Sequence, residues 1–551
     1  MKATTRRWPF YLLTVGLTAN FQPPDGIALA LLTIFLSVGP MKRPTKSFVL
    51  SKGSSMSTDT REERLARRIA DLTATDPQFA AAKPDPAVSQ AIDDPELSLD
   101  AVVRTVLTAY ADRPALGERA IDYVEDRRGR TSATLLPHYN TITYRELDDR
   151  ITSLSRALTD VHPGDRVAIL GFGSIDYTVI DVATIPLGAI AVPLQTSAPL
   201  TALRPIVTET EPAVIASSID YVDDAAELVL TGYAPSSLVV FDYDSEITDH
   251  REAYDALRAR LTQAGSTVVV ETLQDALERG KTLPAKPAAH READDMALLI
   301  YTSGSTGAPK GAIYTREMTG KLWRPASWGW ADSVEPSIVL SFMPMSHVMG
   351  RSGLFGALSH GGTGYFAAKS DLSTFLEDLA LVRPTHLAFV PRVWDMLSAE
   401  VHSRVERHAA AATDMKSDAE FLDEVRTQMI GNRYLTAVTG SAPTSSDLKT
   451  WVESFLDLEL LDGYGSTEAG GVFLDGRVQR PPVIDYKLVD VPDLGYFSTD
   501  RPYPRGELLI KTVNMFPGYY KRPEVTAEVF DEEGFYRTGD IVAELGPDRL
   551  Q

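Results

Sequence analysis

An α/β fold built on mostly parallel sheets is predicted, on three observations. Strand and helix patterns alternate from Asp165 to Pro193 and again between Pro212 and Leu277, the rhythm of βαβ units. A glycine-rich turn, Tyr301 to Gly311, follows directly on the apolar run Met296 to Ile300. The 551 residues are 44% hydrophobic and 23% charged, an ordinary globular composition with material for several cores.

The first fifty-five residues stand apart from this pattern. A basic start (Lys2, Arg6, Arg7) leads into two apolar runs, Phe10 to Leu17 and Ile27 to Val38, separated by Pro23, Pro24, Asp25 and Gly26. Neither run reaches the roughly 18 residues that span a bilayer, and the Pro-Pro break prevents their fusion. The charge and apolar length suit a signal peptide, but the cleavage site is poor. Met56 is therefore the expected start of the functional protein. From Thr60, TREERLARRIADL places Leu65, Ile69 and Leu72 on one helical face, and a second helix is expected near Leu99 to Tyr110. Packing is the expected role of this helical cap.

Thr141 to Leu147 reads as a short strand entering a helix, and Asp165 to Leu170 as a buried strand. A helix from Ile175 to Ile185, broken near Pro186 and Gly188, should precede a β-branched strand at Ala189 to Pro193. Glu400 to Arg433 is long, polar and helix-prone, with charges that fit a solvated face. Gly471 to Arg505 is rich in Pro, Asp and Tyr, and is expected to form loops and short antiparallel strands of a small β subdomain.

Charge and cysteine content narrow the chemistry. A formal net charge of -21 argues against nucleic-acid binding. With no cysteine in the chain, disulfides, thiolate zinc sites and a cysteine nucleophile are excluded, so any thiol chemistry needs a thiol from elsewhere. Within YTSGSTGAPKG, the backbone N–H groups and hydroxyls of Thr302, Ser303, Gly304, Ser305, Thr306 and Gly307 suit phosphate oxygens, and Lys310 adds a positive charge. The spacing is not that of the Walker loop, which carries Ser or Thr directly after its lysine.

Further candidates follow in order. SFMPMSHVMG, Ser341 to Gly350, reads as a buried strand ending at Pro344 that delivers His347 into a loop. TGSAP, Thr439 to Pro443, follows the apolar run Leu435 to Val438, and its small residues permit close approach of a flat ring. DGYGSTEAG, Asp462 to Gly470, combines the ring of Tyr464, the hydroxyl of Thr467 and the carboxylate of Glu468, a hard oxygen ligand of the kind Mg²⁺ prefers. YRTGDI, Tyr536 to Ile541, offers Asp540 after a glycine turn, where its carboxylate could accept two hydroxyls.

Together these motifs resemble the adenylate-forming (AMP-binding) superfamily, which includes acyl-CoA ligases, luciferases and adenylation domains. The resemblance covers roughly Asp100 to Arg549. It implies an acyl-CoA-ligase-like adenylation fold: two βαβ-type parallel-rich subdomains, a small β subdomain, and a C-terminal lid that would follow this sequence. On that basis residues 56–112 form the cap, 113–545 the adenylation core and 546–551 the start of the hinge. The resemblance assigns the Tyr301–Gly311 loop to the β- and γ-phosphates of ATP and His347 to the acyl carboxylate. It places Ser441, Ala442, Asp462, Tyr464 and Gly465 in the nucleotide site, Thr467 near the α-phosphate, Glu468 on Mg²⁺ and Asp540 on the ribose.

REERLARRIADLTATDPQFAAAKPDPAV, YADRPALGERA, PMSHVMGR and LLDGYGSTEAGGV are similar to the adenylation domain of carboxylic acid reductases. That likeness implies ATP- and Mg²⁺-dependent conversion of a carboxylic acid to acyl-AMP. It also implies transfer to phosphopantetheine on a carrier domain and reduction by an NADPH-dependent domain, both beyond this sequence. Apolar residues around Phe342, Met343 and Met345 suggest a hydrophobic acid, and ATP use suggests a cytoplasmic setting; no membrane partner is expected. The lysine of the lid would lie past Gln551, so weak ATP binding and poor adenylation are expected of the chain as written. An acyl-CoA or fatty-acyl-AMP ligase shares every core motif, and a non-catalytic nucleotide-binding relic is a further alternative.

Overall fold

The computed structural model describes residues 60–286, 289–303, 308–324, 335–411 and 418–551. The second expected cap helix, Leu99–Ala109, is capped by Ser98 and buries Leu99, Val102, Val103, Val106 and Leu107. The first, Arg61–Thr75, opens on a capping box between Thr60 and Glu63 but buries none of its residues fully. It is held instead by Arg64 on Asp457 at 2.6 and 2.8 Å and by the Arg68 guanidinium, 4.6 Å above the Tyr434 ring. Two short helices between them were not expected, Pro77–Ala81 and Pro86–Ile92. Both follow an Asp-Pro pair in which the aspartate caps and the proline takes the first turn, a local signal their brevity conceals.

Strands β1 (Pro114–Glu125) and β2 (Thr131–Thr143) form a long antiparallel hairpin where only a short strand near Thr141 was expected. Most of β2 faces solvent, so its sequence lacks the apolar alternation that marks a half-buried strand. After the helix Tyr144–Ala157 come β3 (Arg166–Leu170), β4 (Ile190–Leu194), β5 (Val214–Ser218), β6 (Ser237–Phe241) and β7 (Val269–Thr272), all mutually parallel where they pair. β8 (Met296–Ser303) joins them parallel to β4, and β9 (Pro309–Thr315) returns antiparallel to β8. The sheet runs β7-β6-β5-β3-β4-β8-β9. The helix Ile175–Leu187 keeps Pro186 in its last turn and ends at Gly188, whose φ of 63° is left-handed. The break thus falls later than the proline alone suggests, because a last-turn proline forgoes little.

β10 (Ile338–Ser341) and β11 (Thr363–Phe366) extend the hairpin into a four-stranded sheet, β10-β11-β1-β2. The remaining strands are β12 (His386–Ala388), β13 (Thr436–Gly440), β14 (Leu460–Ser466), β15 (Gly470–Leu474), β16 (Arg477–Val478), β17 (Val483–Val489), β18 (Arg505–Thr512), β19 (Tyr536–Gly546) and β20 (Arg549–Leu550). They form one sheet in the order β12-β13-β14-β15-β16-β20-β19-β18-β17. Its first three strands are parallel and the rest antiparallel. The second parallel subdomain and the small β subdomain therefore share a continuous sheet. The polar helices expected within Glu400–Arg433 are Pro391–Ala411 and Asp418–Ile430.

Apolar side chains fill the layers between sheets and helices. One cluster centres on Phe342, Phe375, Phe389 and Trp394, and another includes Trp323 stacked on Phe355 at 4.6 Å. The segment Gly518–Tyr520 runs along the free edge of β9: Ile313 donates to the Gly518 carbonyl at 3.1 Å, and Tyr520 to that of Gly311 at 2.8 Å. This splice brings the β region against the strand carrying Lys310. Among the described residues no helix is long and apolar enough to cross a membrane.

Candidate active site

Lys310 sits on β9 directly opposite Thr302 on β8, at the mouth of the hairpin. Gly304, Ser305, Thr306 and Gly307, and the side chain of Ser303, lie outside the described residues. The Lys310 ammonium is 5.6 Å from the centre of the Tyr519 ring, and the Tyr519 hydroxyl donates to Glu468 Oε1 at 2.9 Å. Glu468 lies in the tight turn between β14 and β15 and is buried. Next to it, the Thr467 carbonyl accepts from the Tyr314 hydroxyl at 2.6 Å. Burial and the nearby Glu468 carboxylate push both Tyr314 and Tyr519 well above the usual phenol range, keeping them neutral donors. Lys310, Thr467 and Glu468 are thus gathered by two tyrosines that no motif had assigned to the site. Tyr519 lies in the Gly518–Tyr520 segment along β9 and Tyr314 on β9 itself, each outside the motifs.

Among the described residues no group of three or more His, Asp or Glu side chains could hold a metal ion. Glu468 is a single carboxylate, and Tyr519 occupies one of its oxygens. Such a donor set suits Mg²⁺ that takes its remaining ligands from nucleotide phosphates and water.

Parallel pairing of β13 and β14 sets Thr439 beside Asp462 and Gly440 beside Gly463, bringing together the residues expected at the nucleotide base. A Cβ on Gly440 would lie 2.7 Å from the Gly463 carbonyl oxygen, so only glycine allows this approach. Ser441 turns the chain out with φ of 66°, leaving Ser441 and Ala442 exposed. Burial raises the Asp462 carboxyl, partly offset by Lys449. Gly465 pairs with Gly471 across the turn; a Cβ there would meet the Gly470 carbonyl at 2.4 Å.

Tyr464 stacks on Phe473 with ring centres 4.4 Å apart and planes within 12°. One face of the ring is therefore already covered, and only the other is open to a base. The Tyr464 hydroxyl donates to Asp540 Oδ2 at 2.5 Å, while the exposed Asp540 carboxylate follows Gly539, whose φ is 75°. Asp540 and Tyr464, chosen separately, form one unit.

His347 stands at the N-terminal boundary of the helix Val348–Ser359. The preceding strand stops at Ser341, not Pro344, and the intervening turn carries the histidine out of the core. Its imidazole is exposed at the surface yet surrounded by protein, and partial loss of hydration holds its pKa below the usual histidine range. No hydrogen bond ties that ring to the other candidates among the described residues; the link is through the core, where Met345, Tyr314 and Ala469 share one cluster. Met345 is buried in that packing and Phe342 in the cluster around Phe375 and Trp394, so Met343 of the loop and the exposed Met349 of the helix remain as apolar groups open to a ligand.

Residues 111–520 match the family described as AMP-binding enzyme. A carboxylic acid reductase of Mycobacterium tuberculosis is 59% identical over 495 residues, covering 89% of this chain and 42% of that protein. The A domain of the carboxylic acid reductase from Segniliparus rugosus, solved with AMP and a co-purified carboxylic acid, gives a TM-score of 0.83 at 47% identity over 88% of this chain and 79% of that one. The A-PCP didomain of the same enzyme, solved with AMP, gives 0.83 at 47% identity over 88% of this chain and 68% of that one. The chain thus spans less than half the length of the curated relative it matches.

Proposed function

The chain belongs to the AMP-binding enzymes, and from that membership we propose that it joins a carboxylic acid to the AMP part of ATP as the first stage of carboxylic acid reduction. A carboxylate oxygen attacks the α-phosphorus, the bond from that phosphorus to the bridging oxygen breaks, and pyrophosphate leaves. The observation that carries this reading is the convergence of Lys310, Thr467 and Glu468 through Tyr519 and Tyr314, beside the Tyr464–Asp540 unit.

Catalysis here is charge neutralisation and alignment rather than covalent attack by the enzyme. Lys310 and the loop amides take the departing pyrophosphate, and Thr467 meets the α-phosphate. Tyr464 offers its open face to adenine and orients Asp540 toward the ribose. His347, neutral at physiological pH, is placed to donate a hydrogen bond to the acyl carboxylate without titrating. When bound on Glu468, Mg²⁺ supplies charge to the phosphates. Met343 and Met349 favour a hydrophobic acid. The acyl group then passes to a phosphopantetheine thiol on a carrier domain, for reduction by an NADPH-dependent domain, in the cytoplasm where ATP is available.

An acyl-sulfamoyl adenosine mimics acyl-AMP without reacting, so its binding tests the site independently of turnover. Calorimetric titration is expected to show it binding at least about 100-fold more tightly than AMP. Equal affinity for the two compounds would sink the proposal. Acylation of free coenzyme A by the purified chain would move the assignment to a ligase.

A further inference from the structure

We propose that Arg351, clamped by Asp181, is a positioning residue that fixes the loop carrying His347 and so sets where the acyl carboxylate lies. The inference rests on the reading of His347 given above. Arg351 is 2% exposed and Asp181 4% exposed. The guanidinium donates to both carboxylate oxygens, Nη1 to Oδ2 at 2.9 Å and Nη2 to Oδ1 at 2.8 Å. Its third nitrogen, Nε, donates to the Met345 carbonyl at 2.7 Å, two residues before His347. Asp181 belongs to the helix Ile175–Leu187, which packs on the seven-stranded sheet, whereas Arg351 lies in the first turn of Val348–Ser359. One side chain therefore ties the histidine loop to the layer of the central sheet.

The loop is closed from its other side as well. The His347 backbone N–H donates to the Pro344 carbonyl at 3.0 Å, and a Cβ on Gly350 would lie 2.4 Å from that same oxygen and 2.8 Å from the Met343 carbonyl oxygen. The turn is folded so tightly on the helix that a shift at Met345 must carry His347 with it. A buried ion pair adds little net stability over apolar groups of similar size. What it supplies here is direction: each of the three nitrogens of one planar group makes a hydrogen bond. Tyr177 and Tyr314, whose hydroxyl donates to the Thr467 carbonyl, both lie within electrostatic reach of the guanidinium.

The test compares the full chain with Arg351→Lys, Arg351→Met and the double variant Asp181→Leu/Arg351→Met, which removes both charges and leaves no orphaned carboxylate. Two quantities are measured: affinity for AMP and for octanoyl-sulfamoyl adenosine by calorimetry, and the titration of the His347 imidazole by NMR, assigned with His347→Gln. Both Arg351→Met and the double variant are expected to hold AMP affinity within about twofold while losing about 10- to 100-fold for the acyl compound. The His347 titration should move up toward the ordinary value as the loop opens to water. Should Arg351→Met fail to unfold cooperatively, Arg351→Lys and the double variant carry the test, since Lys cannot grip Asp181 through two donors and also reach Met345. A folded double variant with wild-type affinity for the acyl compound and an unchanged His347 titration would overturn the proposal. If the wild-type chain binds neither compound, the adenylation reading fails, and the His347 titration still decides whether Arg351 positions the loop.

Discussion

Asp540 and Tyr464 are 76 positions apart and meet in a hydrogen bond of 2.5 Å. Each residue thereby gains a second role, because the tyrosine orients the carboxylate and the carboxylate fixes the ring. Replacing Asp540 by Ala removes a charged acceptor, and a charged hydrogen bond contributes roughly 1.5–3 kcal/mol. AMP affinity is therefore expected to fall about 10- to 100-fold in calorimetric titration. Tyr464→Phe keeps the ring and loses one bond, so a loss of only about threefold to tenfold is expected. If Asp540→Ala bound AMP as the wild type does, the ribose assignment would be wrong. The chain takes a positive φ at both Gly539 and Ser441, in the turns that precede Asp540 and Ala442.

Elements are held in place by a few buried cations as well as by apolar packing. Arg119 on β1 is nearly fully buried and reaches the helix Phe375–Val382 through Asp378 at 2.7 Å and Glu377 at 2.9 Å, and the Leu136 carbonyl on β2 at 2.8 Å. Of its apolar side chains the hairpin buries Ala115, Leu116 and Ala120, and the Arg119 contact ties it to the core around Phe375. Arg119→Met would leave the Asp378 carboxylate buried without its cation, at a cost of about 3–5 kcal/mol. The midpoint of urea unfolding should fall accordingly with an unchanged slope; an unaltered midpoint would show that the hairpin is seated by other contacts. Helices at the surface follow the same logic on a smaller scale, as Arg61–Thr75 shows by resting on Asp457 and Tyr434.

At the scale of the whole molecule, acidic groups from three elements gather where the four-stranded and seven-stranded sheets adjoin. Ile175 N–H donates to Glu118 Oε1 at 2.6 Å, Asp242 N–H donates to Asp176 Oδ2 at 3.0 Å, and Arg150 pairs with Asp176. Burial first, then the neighbouring Asp176 charge, pushes Glu118 up to about 7; burial raises Asp242 well above the usual carboxylate range, against the hydroxyls of Ser174 and Ser218. The folded chain thus holds a proton at Glu118 that the unfolded chain releases near its ordinary value of 4.5. Its stabilising contribution is complete below that value and lost as pH rises through about 7. Unfolding free energy should drop by about 1–2 kcal/mol between pH 5.5 and 8.5, the upper limit being set by 1.36 kcal/mol per unit and reduced for partial hydration. Glu118→Gln should flatten that dependence, and a variant with the wild-type slope would locate the proton elsewhere.

How much of this was legible in the sequence follows from what each feature depends on. Motifs such as Tyr301–Gly311 and Asp462–Gly470 are legible because glycines, small residues and hydroxyls concentrate within a few positions. The βαβ rhythm is legible because buried parallel strands are continuous apolar runs, as β3 to β6 are. The hairpin β1–β2 was not, since its exposed faces impose no pattern. Nor were the contacts made by Tyr314, Tyr519 and Arg119, or the pairing of Arg351 with Asp181 across 170 positions. The candidate site residues were legible in local motifs, where glycines and small polar residues cluster along the chain. Only the tertiary structure decided which side chains orient those motifs, because a buried hydrogen bond or ion pair is selected by proximity in space and leaves no periodic trace along the chain.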